Sequence, residues 1–118
     1  MERVCFVARV RPDHIAEYRR RHARVWPELL LEIERAGRRN YSVFLGEDGL
    51  LVGYYETDDD RAGAAFLAHA PASARWEAEM APLLEGVSGR VDQSARTLVE
   101  VFNLGAQLAA RADDPPVA

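Results

Sequence analysis

Hydrophobic positions near the start of the chain recur every second residue. Val4, Phe6, Ala8 and Val10 alternate with Arg3, Cys5, Val7 and Arg9, which predicts a strand with one strongly apolar face. The period then changes. Tyr18, His22, Val25 and Leu29 share one face of a helical pattern that runs from Ile15 to about Ala36. Pro12 and Asp13 suit its first turn, and Gly37 suits its end. Pro27 lies inside the pattern. Proline lacks an amide donor and clashes with the carbonyl four residues back, so a kink or break is expected between Ala23 and Trp26.

Asn40–Leu45 and Leu50–Thr57 read as two strands joined by the turn Gly46-Glu47-Asp48-Gly49. Asp58-Asp59-Asp60 can cap a helix over about Arg61–His69. Pro71 interrupts it, and a second helical piece reaches about Leu84 with Trp76, Met80 and Leu83 on one face. Pro82 is placed to distort its last turn. Gly86–Ala95 reads as loop and Thr97–Leu104 (TLVEVFNL) as a fourth strand. Residues 105–118, ending ADDPPVA, lack a burial pattern and read as a flexible tail.

The order β-α-β-β-α-β is a split, ferredoxin-like α+β plan occupying residues 1–104. Helices cover one sheet face only. Cys5 and Val7, together with either Leu51 and Tyr55 or Leu50, Val52 and Tyr54, keep the other face partly apolar. Sheet-to-sheet packing of two copies into a dimeric α/β barrel, a ligand cavity, or both are therefore expected.

Composition narrows the function. The chain has 118 residues, 48% of them hydrophobic, enough for one core, and a formal net charge of −4 argues against a nucleic-acid footprint. A single cysteine forbids an intrachain disulfide and favours a reducing compartment. The opening MERVCFVARV has no long apolar core, and nothing approaches eighteen consecutive apolar residues. A soluble, cytoplasmic protein that binds neither membrane nor nucleic acid is the expectation. No dinucleotide or phosphate-binding glycine motif, serine elbow or zinc spacing occurs; the histidines are His14, His22 and His69.

The arginines Arg20, Arg21 and Arg24 fall on the wet face of the first helix, with Arg19 at its border. Tyr18 and His22 are the polar members of the inward stripe, four residues apart. Two readings fit His22: a satisfied core hydrogen bond, or one wall of a polar pocket where an imidazole gives and takes protons. Trp26, Tyr41 and Trp76 likewise fit either packing or a cavity wall. Without metal or cofactor signals, an aromatic and imidazole set suits a neutral polyol.

Over Val4–Leu104 the chain resembles the L-rhamnose mutarotase family. The motifs are Tyr18-Arg19-Arg20-Arg21-His22, Val25-Trp26-Pro27-Glu28-Leu29, Gly37-Arg38-Arg39-Asn40-Tyr41-Ser42-Val43-Phe44-Leu45, Arg75-Trp76 and Glu100-Val101-Phe102, in that order. The resemblance implies a homodimer that interconverts the α and β anomers of L-rhamnose, or a related monosaccharide, without metal or cofactor. It implies His22 as proton donor and Tyr18, Tyr41 and Trp76 as sugar contacts. The family commonly has a second tryptophan at the position occupied here by Glu77. Two alternatives share the fold: a cofactor-independent monooxygenase, and a sugar-binding module without catalysis.

Overall fold

A computed structural model describes residues 1–86 and 95–112. Strand β1 spans Glu2–Arg9, β2 Arg39–Leu45, β3 Leu50–Thr57 and β4 Arg96–Leu98. Helix α1 spans Ile15–His22, α2 Pro27–Arg35, α3 Asp60–Ala68, α4 Pro71–Met80 and α5 Leu104–Arg111. Single 3₁₀ turns at Pro12–His14 and Ala81–Leu83 flank α1 and α4. The sheet order is β2-β3-β1-β4, with every neighbour antiparallel. This is the ferredoxin-like α+β plan that the alternating periods predict.

The expected break at Pro27 is complete. Helix α1 ends at His22, Ala23–Trp26 turn, and Pro27 starts α2 from its first position, where its missing amide costs nothing. The arginine run behaves as expected: Arg19, Arg20 and Arg24 are exposed, and Arg21 donates to Glu17 at 2.6 Å. Asp59 caps α3 by accepting from the Ala62 amide at 3.0 Å. Gly49, at φ +93°, closes the β2–β3 turn, and a Cβ there would meet the Val10 carbonyl oxygen at 2.4 Å.

The core lies between the helices and one sheet face. Phe6, Val10, Leu51 and Tyr55 project from the sheet, and Tyr18, Leu29, Trp76, Met80 and Leu83 from the helical side. Phe6 stands opposite Gly53 in the β1–β3 register. A Cβ on Gly53 would lie 2.1 Å from the Phe6 ring, so that glycine makes room for the ring.

Two expectations are corrected at the C-terminal end. The alternation in TLVEVFNL predicts a strand through Leu104, yet β4 stops at Leu98. Its register, Leu98 opposite Cys5, puts the following residues against the very start of β1, so the partner strand runs out within a few positions. The Arg3–Glu100 ion pair, 2.9 Å, keeps this register two residues beyond the ladder. Leu104–Arg111 then forms α5 where a flexible tail is expected, because Asn103 accepts from the Ala106 amide at 2.8 Å and starts a helix. Most of the expected Gly86–Ala95 loop and the last six residues lie outside the described residues.

Candidate active site

A cavity of about 340 Å³ opens between the helices and the β2 side of the sheet. That is the lower end of the range for small-molecule sites. Its polar groups come from His22 of α1, Arg38, Tyr41 of β2, and Ser73 and Glu77 of α4. Trp76 and aliphatic side chains of α2 complete the wall.

His22 is the last residue of α1. Its Nδ1 lies 3.0 Å from the Tyr18 carbonyl oxygen, which only accepts, so Nδ1 carries a proton and donates. Nε2 is left as the nitrogen that can exchange protons. Burial lowers the imidazole pKa, and the bond to the carbonyl opposes that shift without cancelling it. The ring is therefore neutral at pH 7.

Tyr18 does not line the cavity. It is buried behind His22, its ring stacked on the imidazole at 4.0 Å and 22°. Burial, then Tyr41 and Glu77, push its phenol well above the usual tyrosine range, so it stays protonated. Trp76 meets His22 edge-on at 5.1 Å and Trp26 at 5.1 Å and 89°. The expected set is thus brought together, with His22, Tyr41 and Trp76 on the wall and Tyr18 supporting the imidazole from behind.

Tyr41 owes its aim to a bulge. Arg39 pairs with Glu56 and Ser42 with Tyr54, so Asn40 and Tyr41 together face one residue of β3. Asn40 takes φ +48°, a left-handed conformation that asparagine tolerates better than most residues. The Tyr41 ring then packs 5.1 Å from Tyr55 and edge-on to Phe6. Arg38, just upstream, is buried with its guanidinium 4.2 Å above the Tyr55 ring. Tyr55 in turn donates to Asp60 at 2.5 Å.

Sequence reasoning missed two contributors. Arg38 enters only as part of a family motif, because nothing in its spacing separates a buried arginine from its exposed neighbour Arg39. Glu32, three residues after Leu29 on α2, caps another helix: its carboxylate accepts from the amides of Ala72 (3.0 Å) and Ser73 (2.7 Å) in the first turn of α4. Ala70, at the N-cap, has no side chain for that task. Its lack of a capping group is the trace that sequence carries. Among the described residues, no three His, Cys, Asp or Glu side chains gather to hold a metal ion.

A family model described as L-rhamnose mutarotase matches residues 3–104. The chain belongs to the L-rhamnose mutarotase family. An L-rhamnose mutarotase of Oceanobacillus iheyensis is 34% identical over 106 residues, covering 88% of this chain and 99% of its own. One from Yersinia pestis is 39% identical over 105 residues, with 88% and 99% covered. The crystal structure of an L-rhamnose mutarotase from Formosa agariphila superposes with a TM-score of 0.70 at 26% identity, over 88% of this chain and 99% of that one. Family membership thus spans the whole ferredoxin-like unit that builds the cavity.

Replacing Glu32 with Ala leaves two amides of α4 without their charged acceptor. A loss of about 1–2 kcal/mol is expected. Urea unfolding monitored by circular dichroism measures it, and Glu32→Gln, which keeps one acceptor oxygen, should lose less.

Proposed function

We propose that the protein is an aldose mutarotase that interconverts the α and β anomers of L-rhamnose or a closely related sugar, with His22 as its proton carrier. The observation that carries this reading is a neutral imidazole with one nitrogen tied to the backbone and the other available at a sugar-sized cavity. The relatives named L-rhamnose mutarotase support the choice of sugar.

Anomer exchange moves a proton between two oxygens on one carbon. Nε2 of neutral His22 accepts the proton of the anomeric hydroxyl. As the C1–O5 bond breaks, its electron pair goes to the ring oxygen, which takes the same proton back from Nε2, and the aldehyde C=O forms. Rotation about C1–C2 presents the other face, and closure reverses the transfers. One nitrogen serves both oxygens because both are bonded to C1. The backbone bond at Nδ1 fixes the tautomer, and Tyr18 stacked behind fixes the ring plane. Tyr41 binds a hydroxyl, and Trp76 packs on the C–H face of the sugar. Every proton in this cycle is held by the chain or the sugar, so the proposed reaction uses no metal or cofactor.

The reading includes a homodimer. The sheet face away from the helices carries Cys5, Val7, Val52 and Tyr54, and Phe44 and Leu98 are 64% and 47% exposed there. Beyond β4, Val99, Val101, Phe102, Leu104 and Leu108 are all exposed. Helix α5 has eight residues and none buried. A helix that short is marginal alone in water. A second copy covering this arm and the sheet face would stabilise both. Among the described residues no helix is long and apolar enough to cross a membrane. The cytoplasmic location we propose is supported by a single cysteine that is free, which suits a reducing compartment.

Exchange NMR on L-rhamnose tests the reading. The protein should raise the anomer interconversion rate, and His22→Ala should lower that enhancement about 10²–10⁴-fold with the fold retained. An unchanged rate at equal folded concentration removes His22 from the cycle. The active form is the neutral imidazole, and burial lowers its pKa. Activity should therefore persist through neutral pH and fall only below the ordinary histidine value of about 6.5. A rate that rises on acidification contradicts the assignment. Analytical ultracentrifugation should give twice the chain mass, and Phe102→Asp with Leu104→Asp should shift the equilibrium towards monomer.

A further inference from the structure

Tyr55 of β3 is buried behind the cavity wall and reaches the sugar space only through its neighbours. The Tyr41 ring packs on it at 5.1 Å and 37°, and the Arg38 guanidinium carbon lies 4.2 Å from its ring centre. Both neighbours line the cavity. In a regular strand, residues three apart face opposite sides. The bulge between Arg39 and Ser42 shifts that alternation by one, so Arg38 and Tyr41 come to the same side and meet the same ring.

Strand pairing fixes Arg39 and Ser42 against β3, whereas the Arg38 and Tyr41 side chains take their places from what they pack on. Tyr55 is common to both, and its ring is held at two ends. Its backbone belongs to β3, where it stands opposite Val4 of β1. Its hydroxyl donates to the Asp60 carboxylate at 2.5 Å, a bond to a charged acceptor. Asp60 lies in the first turn of α3, and its own amide donates to the Glu2 carboxylate at 2.7 Å. Burial, then the bond to Asp60, push the Tyr55 phenol well above the usual tyrosine range, so its hydroxyl keeps its proton and goes on donating.

We propose that Tyr55 and Asp60 are positioning residues of the sugar site: their hydroxyl–carboxylate bond holds the buried ring against which Tyr41 and Arg38 set the β2 wall of the cavity. The inference rests on the mutarotase reading and adds to it two residues that touch no substrate. It concerns where the Tyr41 ring stands, whatever its hydroxyl meets.

Three variants isolate the bond. Tyr55→Phe removes the hydroxyl and keeps the ring, Asp60→Ala removes the acceptor, and Asp60→Asn keeps an oxygen that accepts from the phenol. Each is compared with the wild type at equal folded concentration. Exchange kinetics on L-rhamnose give kcat and KM. The affinity of methyl α-L-rhamnoside, which cannot open its ring, reports binding without catalysis. Tyr55→Phe and Asp60→Ala should each raise KM and weaken the glycoside about 3- to 10-fold with kcat largely kept, because a wall that shifts weakens ground and transition states alike. Asp60→Asn should recover most of that loss. In a Tyr41→Ala background most of the Tyr55→Phe penalty on glycoside affinity and on kcat/KM should vanish, while its cost in urea unfolding remains.

Affinity and KM unchanged in either Tyr55→Phe or Asp60→Ala overturn the proposal. So does a Tyr55→Phe penalty of the same size in both backgrounds, which marks a general loosening of the fold. An Asp60→Asn variant as weak as Asp60→Ala marks the charge at the start of α3 instead of the bond, and a fall in kcat at constant KM marks proton transfer; each overturns it too. If the wild type binds the glycoside and loses affinity as expected in these variants but does not speed exchange, the mutarotase reading falls and the positioning stands. Exchange that is rapid and indifferent to both residues overturns the positioning and leaves the mutarotase reading in place. A wild type that neither binds the glycoside nor speeds exchange overturns both.

Discussion

The cavity depends on one carboxylate reaching across the helical layer. Helix α4 begins at a proline after an alanine, so its first turn has free amides and no local side chain to satisfy them. Glu32 of α2 accepts from two of those amides, and its negative charge also sits where the helix dipole is positive. The bond therefore joins two neighbouring helices that both line the cavity. Ser73 is itself one of the bonded residues, and Trp76 and Glu77 lie one turn further on. Leu29 and Ile33 flank Glu32 on α2 and line the same space. Were the tie lost, α4 would be free to fray from its N-terminus, and the wall with it.

The opposite side of the cavity is set by a backbone irregularity together with a buried cation. An asparagine in left-handed conformation and an extra residue in β2 turn Tyr41 over Tyr55. Buried Arg38 packs its cation on the other ring of that pair, and Asp60, in the first turn of α3, holds the Tyr55 hydroxyl. A chain of contacts thus runs from the N-terminus of α3 through Tyr55 to the cavity wall. On the helix side the aromatic series Tyr18, His22, Trp76 and Trp26 leaves the imidazole little room to rotate. A fixed ring with a fixed tautomer is what a single proton carrier requires, because its one exchanging nitrogen must meet two oxygens in turn.

The open sheet face and the exposed arm answer to the same physics. Among the described residues, nothing covers the apolar side chains of Phe44, Leu98, Val101 and Phe102, and α5 has none of its residues buried. In the proposed homodimer, two copies would cover these surfaces for each other about a two-fold axis. None of these four side chains lines the cavity, so the chemistry proposed for the one does not require the other to have moved.

Periods of two and of 3.6 are local properties, and they were enough to mark β1, β2, β3 and α1 to α4, as well as the break at Pro27. Inward placement of Tyr18, His22, Tyr41 and Trp76 was also legible, because a side chain's face follows from its step along a helix or strand. Sequence order likewise carried the family motifs. It did not carry pairings between distant residues. Tertiary structure alone decided that β4 stops at Leu98 near the start of its partner strand, that Glu32 serves a helix forty positions away, and that Tyr18 lies behind His22 and not beside it. A one-residue bulge was equally silent, since alternation reads the same on either side of it. Periodicity reports which way a residue faces, whereas what it meets there depends on contacts that only the folded chain creates.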